Sequence, residues 1–328
     1  MNTDSKKVLL IDADSTIPNL ALMKLSTYYK EKGHEVRIQQ LHLPYFPNRN
    51  KKDYQIATEK YNEVFCSVIF ENNIQHIHGD GIFFGGTGVD LTTTLGEEVE
   101  RCKPDYSIYP YNDTSYGFIT RGCVRSCWFC KVPKKEGRIH KVSEVEDIIQ
   151  HDKVKFMDNN ILGYKRHLWE LNKIAEIGVK CQFNQGLDIR LVNKENSKAL
   201  RKLNYWKEYV FAFDDIKYKK YLDEKLPLLQ WVNDWKLKFF VYVHPVMELR
   251  ETIYRIKYLR GRKCLPYVMR DISCWGARYH EFYVDLASWC NQVHLFKKLS
   301  FEAFLNKRHK NSKRIQESLR LWRNGETM

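Results

Sequence analysis

Three cysteines fall within one short run, Arg121-Gly122-Cys123-Val124-Arg125-Ser126-Cys127-Trp128-Phe129-Cys130. Their spacing is Cys-x3-Cys-x2-Cys. Thiolates are soft anionic ligands, and three of them on one loop suit iron or zinc. In a cubane 4Fe-4S cluster, Cys123, Cys127 and Cys130 would hold three irons and leave the fourth open to an outside ligand. The competing reading is a zinc knuckle completed by a fourth ligand such as His140. Nine cysteines scattered through 328 residues would produce this spacing by accident about 0.007 times per chain, so accident is a poor explanation.

Further polar groups stand where apolar runs end. Lys155-Phe156-Met157 passes into Asp158-Asn159-Asn160, a carboxylate and two amides that can accept hydrogen bonds from an ammonium. The same residue types also favour helix N-caps. The segment Gln182-Phe183-Asn184-Gln185-Gly186-Leu187-Asp188-Ile189-Arg190-Leu191 carries a guanidinium suited to a planar carboxylate. Asp188 and Arg190 are equally suited to pair with each other. Asp214 and Asp215 close the run Phe211-Ala212-Phe213, either toward a ligand or as caps of the following helix. His244 and Arg270 close two later runs.

The cysteine loop, with the aromatic Phe129 immediately before its third cysteine, resembles that of the radical S-adenosylmethionine superfamily, and the segment Gln182 to Leu191 looks like one seen in its cobalamin-binding-type and methylthiotransferase-like branch. The likeness covers residues 116–269. It implies a 4Fe-4S cluster whose fourth iron is chelated by S-adenosylmethionine, with one electron then splitting a carbon–sulfur bond to give methionine and a 5′-deoxyadenosyl radical. It further implies Asp158, with Asn159 and Asn160, near the methionine amino group, and Arg190 at the methionine carboxylate. Gln185 or Asp188 would reach the ribose hydroxyls, Asp214 would touch cofactor or substrate, and Arg270 would face substrate. The implied electron donor is a flavodoxin or ferredoxin.

These groups need a scaffold, and the apolar runs supply one. Strand-like segments at 116–120, 154–157, 179–183, 209–213, 239–243 and 265–269 alternate with helical patterns, which is the signature of parallel β/α units. Six units predict a partial (β/α)6 barrel of TIM type over residues 106–273, with chemistry gathered where its strands end. Before it, Lys7-Val8-Leu9-Leu10-Ile11-Asp12, a helical stretch from Pro18 to Lys32, Gly33 and His34-Glu35-Val36-Arg37-Ile38 form a β-α-β opening. Runs at 64–70 and 81–84 extend it into a Rossmann-like lobe over residues 1–105. That lobe resembles the cobalamin-binding type in the Gly85-Gly86 pair that ends its last strand. It lacks the corrinoid-ligating Asp-x-His-x-x-Gly motif between His34 and Tyr61, so a degenerate lobe without cobalamin is expected. After Ser273 the pattern becomes mainly helical, a basic C-terminal extension over residues 274–328.

Composition sets the outer bounds. A hydrophobic fraction of 43% with 17 Phe, 20 Tyr and 8 Trp supplies a core and excludes a disordered chain. No apolar run approaches the length that crosses a bilayer, and the residues before Lys7 carry no signal-peptide pattern. A cytoplasmic location without membrane attachment is expected, where free thiols and metal ligands are favoured over disulfides. The remaining cysteines show no close ligand spacing, although Cys264, Cys274 and Cys290 admit a second cluster only if separate elements converge. The net charge of +14 admits RNA as a substrate, its densest basic stretch being Lys297 to Arg323. The class of reading that competes with an enzyme is a zinc-dependent nucleic-acid-binding module without catalysis.

Overall fold

Successive side chains of a strand point to opposite faces, and Lys7–Asp12 (β1) shows it. Val8 and Leu10 pack into one buried cluster with Leu22, Met23, Leu25 and Tyr29. Leu9 and Ile11 pack into another with Val64, Cys66 and Val68. Apolar residues at every position therefore mark a strand covered on both faces, each fully buried aliphatic contributing ~1.5–3 kcal/mol. The computed structural model describes residues 5–45, 51–310 and 312–324. The chain's first four residues and the last four of its basic extension lie outside the described residues. Mixed α/β architecture with parallel sheets runs through two compact units. One comprises Met1–Gly117, Cys127–Gly137 and Glu146–Asp152, the other Phe118–Ser126, Arg138–Val145 and Lys153–Met328.

In the first unit, β1 is followed by the helix Leu20–Glu31 (α1) and the strand Glu35–Gln40 (β2). Asn19 caps α1 by accepting the Leu22 N–H, and Gly33 at φ +81° turns the chain back toward the sheet. Glu63–Ser67 (β3) and Ile82–Gly85 (β4) complete a four-stranded parallel sheet in the order β2-β1-β3-β4. The register sets Leu10 opposite Ile38 and Phe65, and Cys66 opposite Phe84.

In the second unit, the strands Lys153–Phe156 (β5) and Lys180–Phe183 (β6) pair in parallel, separated by the helix His167–Ile177 (α2). Gly178, at φ +72°, ends α2 in the left-handed conformation that glycine adopts without strain. The helix Lys194–Lys202 (α3), closed at its start by a reciprocal Asn193–Asn196 capping box, leads to Tyr209–Ala212 (β7). Parallel bridges at Cys181–Tyr205 and Leu187–Phe211 carry the ladder from the β6 region to β7. Lys219–Lys225 (α4), Leu237–Val243 (β8), Leu249–Gly261 (α5) and Leu265–Arg270 (β9) follow, with β7, β8 and β9 forming one parallel sheet.

One expected strand takes a different form. The run 116–120 is divided into Ser115–Gly117 and a separate Thr120–Arg121, which pairs antiparallel with His140–Lys141. The cause is local. Asp158 takes the backbone N–H groups of Ile119 and Thr120, which a continuous parallel strand would use in its ladder.

Beyond β9 the helices His280–Cys290 (α6), Val293–Lys298 (α7), Phe301–Arg308 (α8) and Ser312–Asn324 (α9) pack as part of the second unit. Trp289, Phe296 and Phe301 are buried, and the Trp322 ring lies 5.5 Å from Trp289 and 4.8 Å from Phe301. Asn291 binds the outer edge of β9, accepting the Val268 N–H at 2.7 Å and donating to its carbonyl at 3.1 Å. An amide side chain thereby stands in for one residue of a further strand.

Candidate functional site

Three consecutive residues at the end of β5 grip successive points of the chain that leads into the cysteine run. Asp158 is 1% exposed. Its carboxylate accepts the Ile119 N–H at 3.2 Å, the Thr120 N–H at 2.6 Å and the Thr120 hydroxyl at 2.7 Å. Burial pushes this carboxyl up to about 6, opposed by those donors, which favour its ionised form. Asn159 Oδ1 accepts the N–H of Gly122 at 3.0 Å, where the backbone takes φ +82°. Asn160 Nδ2 lies 3.5 Å from the Cys123 sulfur, which also accepts the Arg125 N–H at 3.3 Å. The opposite face of the Asn160 amide, Oδ1, is buried and finds no acceptor-side partner among the described residues.

The structure thus brings Asp158, Asn159, Asn160 and Cys123 together. In their own unit, Cys127 and Cys130 share a turn in which the Cys130 N–H donates to the Cys127 carbonyl at 3.0 Å, and Trp128 meets Phe129 edge-on at 5.6 Å. All three cysteines are half-buried. Among the described residues, no three side chains of His, Cys, Asp or Glu stand close enough together to hold a metal ion. The donor set suits an iron–sulfur cluster in type and spacing, and Asn160 Oδ1 is a buried polar atom still open to a donor. Cys123, Cys127 and Cys130 are the side chains that would hold such a cluster.

A second grouping follows β6. Asp188 is 8% exposed and is held by Arg190, whose Nε and Nη2 donate at 2.6 and 2.9 Å, and by Arg125 Nε at 2.9 Å. Burial acts to raise the Asp188 carboxyl, but the two guanidiniums outweigh it and hold the group below its usual range. Arg190 also lies over the Tyr218 ring at 4.2 Å. Gln185 is exposed, in the turn where Gly186 adopts φ +97°.

Asp214, at the end of β7, accepts the Tyr242 N–H at 2.9 Å, and burial pushes its carboxyl up to about 6. Asp215 caps the following turn instead, accepting the Lys217 N–H. Next to them Arg255, fully buried, donates to the carbonyls of Phe213 and Tyr242, and burial lowers it to about 10. Beyond β8, His244 stands 3.7 Å from Asp271, and Arg270 lies over the Trp275 ring at 4.4 Å.

Arg125 and Arg255 escape a reading of the sequence. Arg125 occupies a variable place inside the cysteine spacing, and Arg255 sits in a helix whose pattern marks it as one more basic residue. Only the fold shows that each reaches a strand end. Burial pushes the thiols of Cys181 and Cys264 up to about 12 and that of Cys274 up to about 11, favouring the protonated form over the thiolate that ligates metal.

In the first unit, the crevice at the ends of β1 and β3, where open parallel sheets take ligands, is occupied by its own side chains. Asn19 Nδ2 donates to Ser67 Oγ at 2.8 Å, and Tyr109 donates to Asp12 at 2.7 Å. Asp14 accepts the N–H groups of Ile69 and Phe70. A Cβ on Gly86, at φ +101°, would fall 2.4 Å from the Val68 carbonyl oxygen, whereas one on Gly85 would meet open space, so Gly86 alone of the pair serves close backbone packing here.

No helix among the described residues is long and apolar enough to cross a membrane. Compared with known proteins, the chain matches no family model and no curated protein.

Proposed function

We propose that the protein is a radical S-adenosylmethionine enzyme with one 4Fe-4S cluster held by Cys123, Cys127 and Cys130. The observation that carries this reading is the Cys-x3-Cys-x2-Cys run, with Asp158, Asn159 and Asn160 fastening the chain at Thr120, Gly122 and Cys123. On this reading the second unit is a partial β/α barrel and the first a Rossmann-like lobe, with the cysteine run at the mouth where barrel chemistry gathers. When bound, the cluster and S-adenosylmethionine would supply one-electron cleavage of the sulfonium to methionine and a 5′-deoxyadenosyl radical.

The chain's own residues act by binding and orientation. Asn160 presents Oδ1 as an acceptor beside Cys123, suited to an ammonium. Arg190 and Arg125 stand beside the buried Asp188 and present guanidinium groups suited to a carboxylate. Asp158 holds the loop backbone, which makes it a positioning residue. A reducing flavodoxin or ferredoxin would donate the electron.

The test is anaerobic reconstitution, followed by iron and sulfide analysis, electron paramagnetic resonance with and without S-adenosylmethionine, and detection of 5′-deoxyadenosine after dithionite reduction. About four irons per chain, a spectrum perturbed by S-adenosylmethionine and nucleoside release are expected. All three should disappear in the triple variant Cys123→Ala, Cys127→Ala, Cys130→Ala. Bound zinc without iron, and no nucleoside, would replace this reading with a zinc-dependent nucleic-acid-binding module.

A further inference from the structure

The loops that follow three strands of the second unit converge on a cleft of about 360 Å³ lined by Arg125, Arg190, Lys217, Tyr218, Lys220 and Tyr221. Four cations face it. Neighbouring carboxylates offset part of this charge: Asp188 pairs with Arg125 and Arg190, Asp215 pairs with Lys217, and Asp214 lies within electrostatic reach of Arg190. Both tyrosines carry cations on their rings: Arg190 lies 4.2 Å and Lys217 5.8 Å from the Tyr218 centroid, and Lys220 lies 5.1 Å from that of Tyr221. Arg125 belongs to the cysteine run itself, its N–H donating to the Cys123 sulfur.

A cleft with excess positive charge binds anions, and one that also offers phenol rings binds planar groups by stacking. A nucleotide combines both properties. Rings can stack only on bases that are not already sandwiched between neighbours, which selects an unpaired strand over a duplex. The basic C-terminal stretch is less available for this role. Arg308, His309 and Arg314 all close on the fully buried carboxylate of Asp285, at 3.2, 2.8 and 3.1 Å.

We propose that this cleft binds single-stranded nucleic acid, with Lys217 and Lys220 on phosphates and Tyr218 and Tyr221 under bases. This names a substrate class for the reaction proposed above and rests on that reading for its catalytic meaning, whereas the binding itself does not depend on it. The strand would pass beside Cys123, through Arg125.

Fluorescence anisotropy with labelled single-stranded RNA and DNA of about 12 nucleotides, over a series of salt concentrations, tests it on the full-length chain. The variant Lys217→Ala, Lys220→Ala should bind about tenfold more weakly, with a salt slope shallower by about 1.4 for two lost phosphate contacts. Tyr221→Ala should weaken binding about tenfold with the slope unchanged. Unaltered thermal unfolding of both variants establishes that they fold. Affinity and slope equal to wild type in the double variant would overturn the proposal. So would an absence of oligonucleotide binding, or displacement by inorganic phosphate at an equal concentration of phosphate groups. Iron content and 5′-deoxyadenosine release, measured on the same preparations, separate the two ideas: binding without nucleoside release removes the radical mechanism and leaves the cleft, and the reverse removes the cleft alone.

Discussion

Asp158 and Asp214 both sit at strand ends with carboxyls pushed up to about 6, yet their surroundings differ. Asp158 meets three donors from one neighbouring segment, whereas Asp214 accepts a single backbone N–H. The consequence for stability is clearest at Asp214. The folded chain holds its proton more tightly than the unfolded chain, where an aspartate titrates near 4. Its contribution is therefore fully present below about pH 4 and is lost as the pH rises through about 6. Asp214→Asn keeps an acceptor for Tyr242 but cannot ionise. Urea midpoints measured from pH 4 to 7 should show wild type losing stability relative to this variant up to about pH 6, with a constant difference above it. Parallel curves across that range would remove Asp214 as a titrating group.

Single side chains also decide where elements begin and stop. Asp158 interrupts the strand expected at 116–120 by diverting its N–H groups, and this interruption sends the chain through Gly122 to Cys123. At the other end of the same unit, Asn291 closes the edge of β9 through both hydrogen-bonding positions of Val268. Replacing it by alanine leaves an N–H and a carbonyl of a buried residue without their partners. Asn291→Ala should cost about 2 kcal/mol in chemical denaturation, the range for unsatisfied buried polar groups. Hydrogen exchange at Val268 should accelerate more than at Val241 on the central strand. Equal protection at both positions would mean that the edge needs no cap.

Across the second unit, the C-terminal helices are tied down by charge as well as by aromatic packing. Asp285 is fully buried and meets Arg308, His309 and Arg314, while Trp322 packs on Trp289 and Phe301. Removing a buried charge from such a cluster leaves its partners uncompensated, at a cost of about 3 kcal/mol. Asp285→Asn should lower stability by about that amount. It should also open the segment around Arg308 and Lys310 to trypsin before the rest of the unit is cleaved. Wild-type digestion kinetics in this variant would show that the aromatic contacts alone hold the last helix.

Patterns of local origin were legible in the amino-acid sequence. The strands at 7–12, 153–156, 180–183, 209–212, 237–243 and 265–270 follow from their apolar residues, in unbroken runs at 8–11 and 239–243, where a parallel strand covered on both faces leaves little room for polar residues, and interleaved with lysine or glutamine at 153–156 and 180–183. The cysteine spacing was equally plain, since three ligands on one loop are neighbours in the chain. The tertiary structure alone decided how the polar residues at the strand ends are used: Asp158 and Asn159 on backbone N–H groups, Asp188 between two arginines, and the basic C-terminal stretch around a buried aspartate. Apart from the local Asp188–Arg190 pair, those choices depend on which groups meet after the β/α units pack, across 23 to 63 residues of chain. Hydrophobic periodicity carries no record of such meetings, because a charged side chain looks the same in sequence whether it ends in water or on a partner.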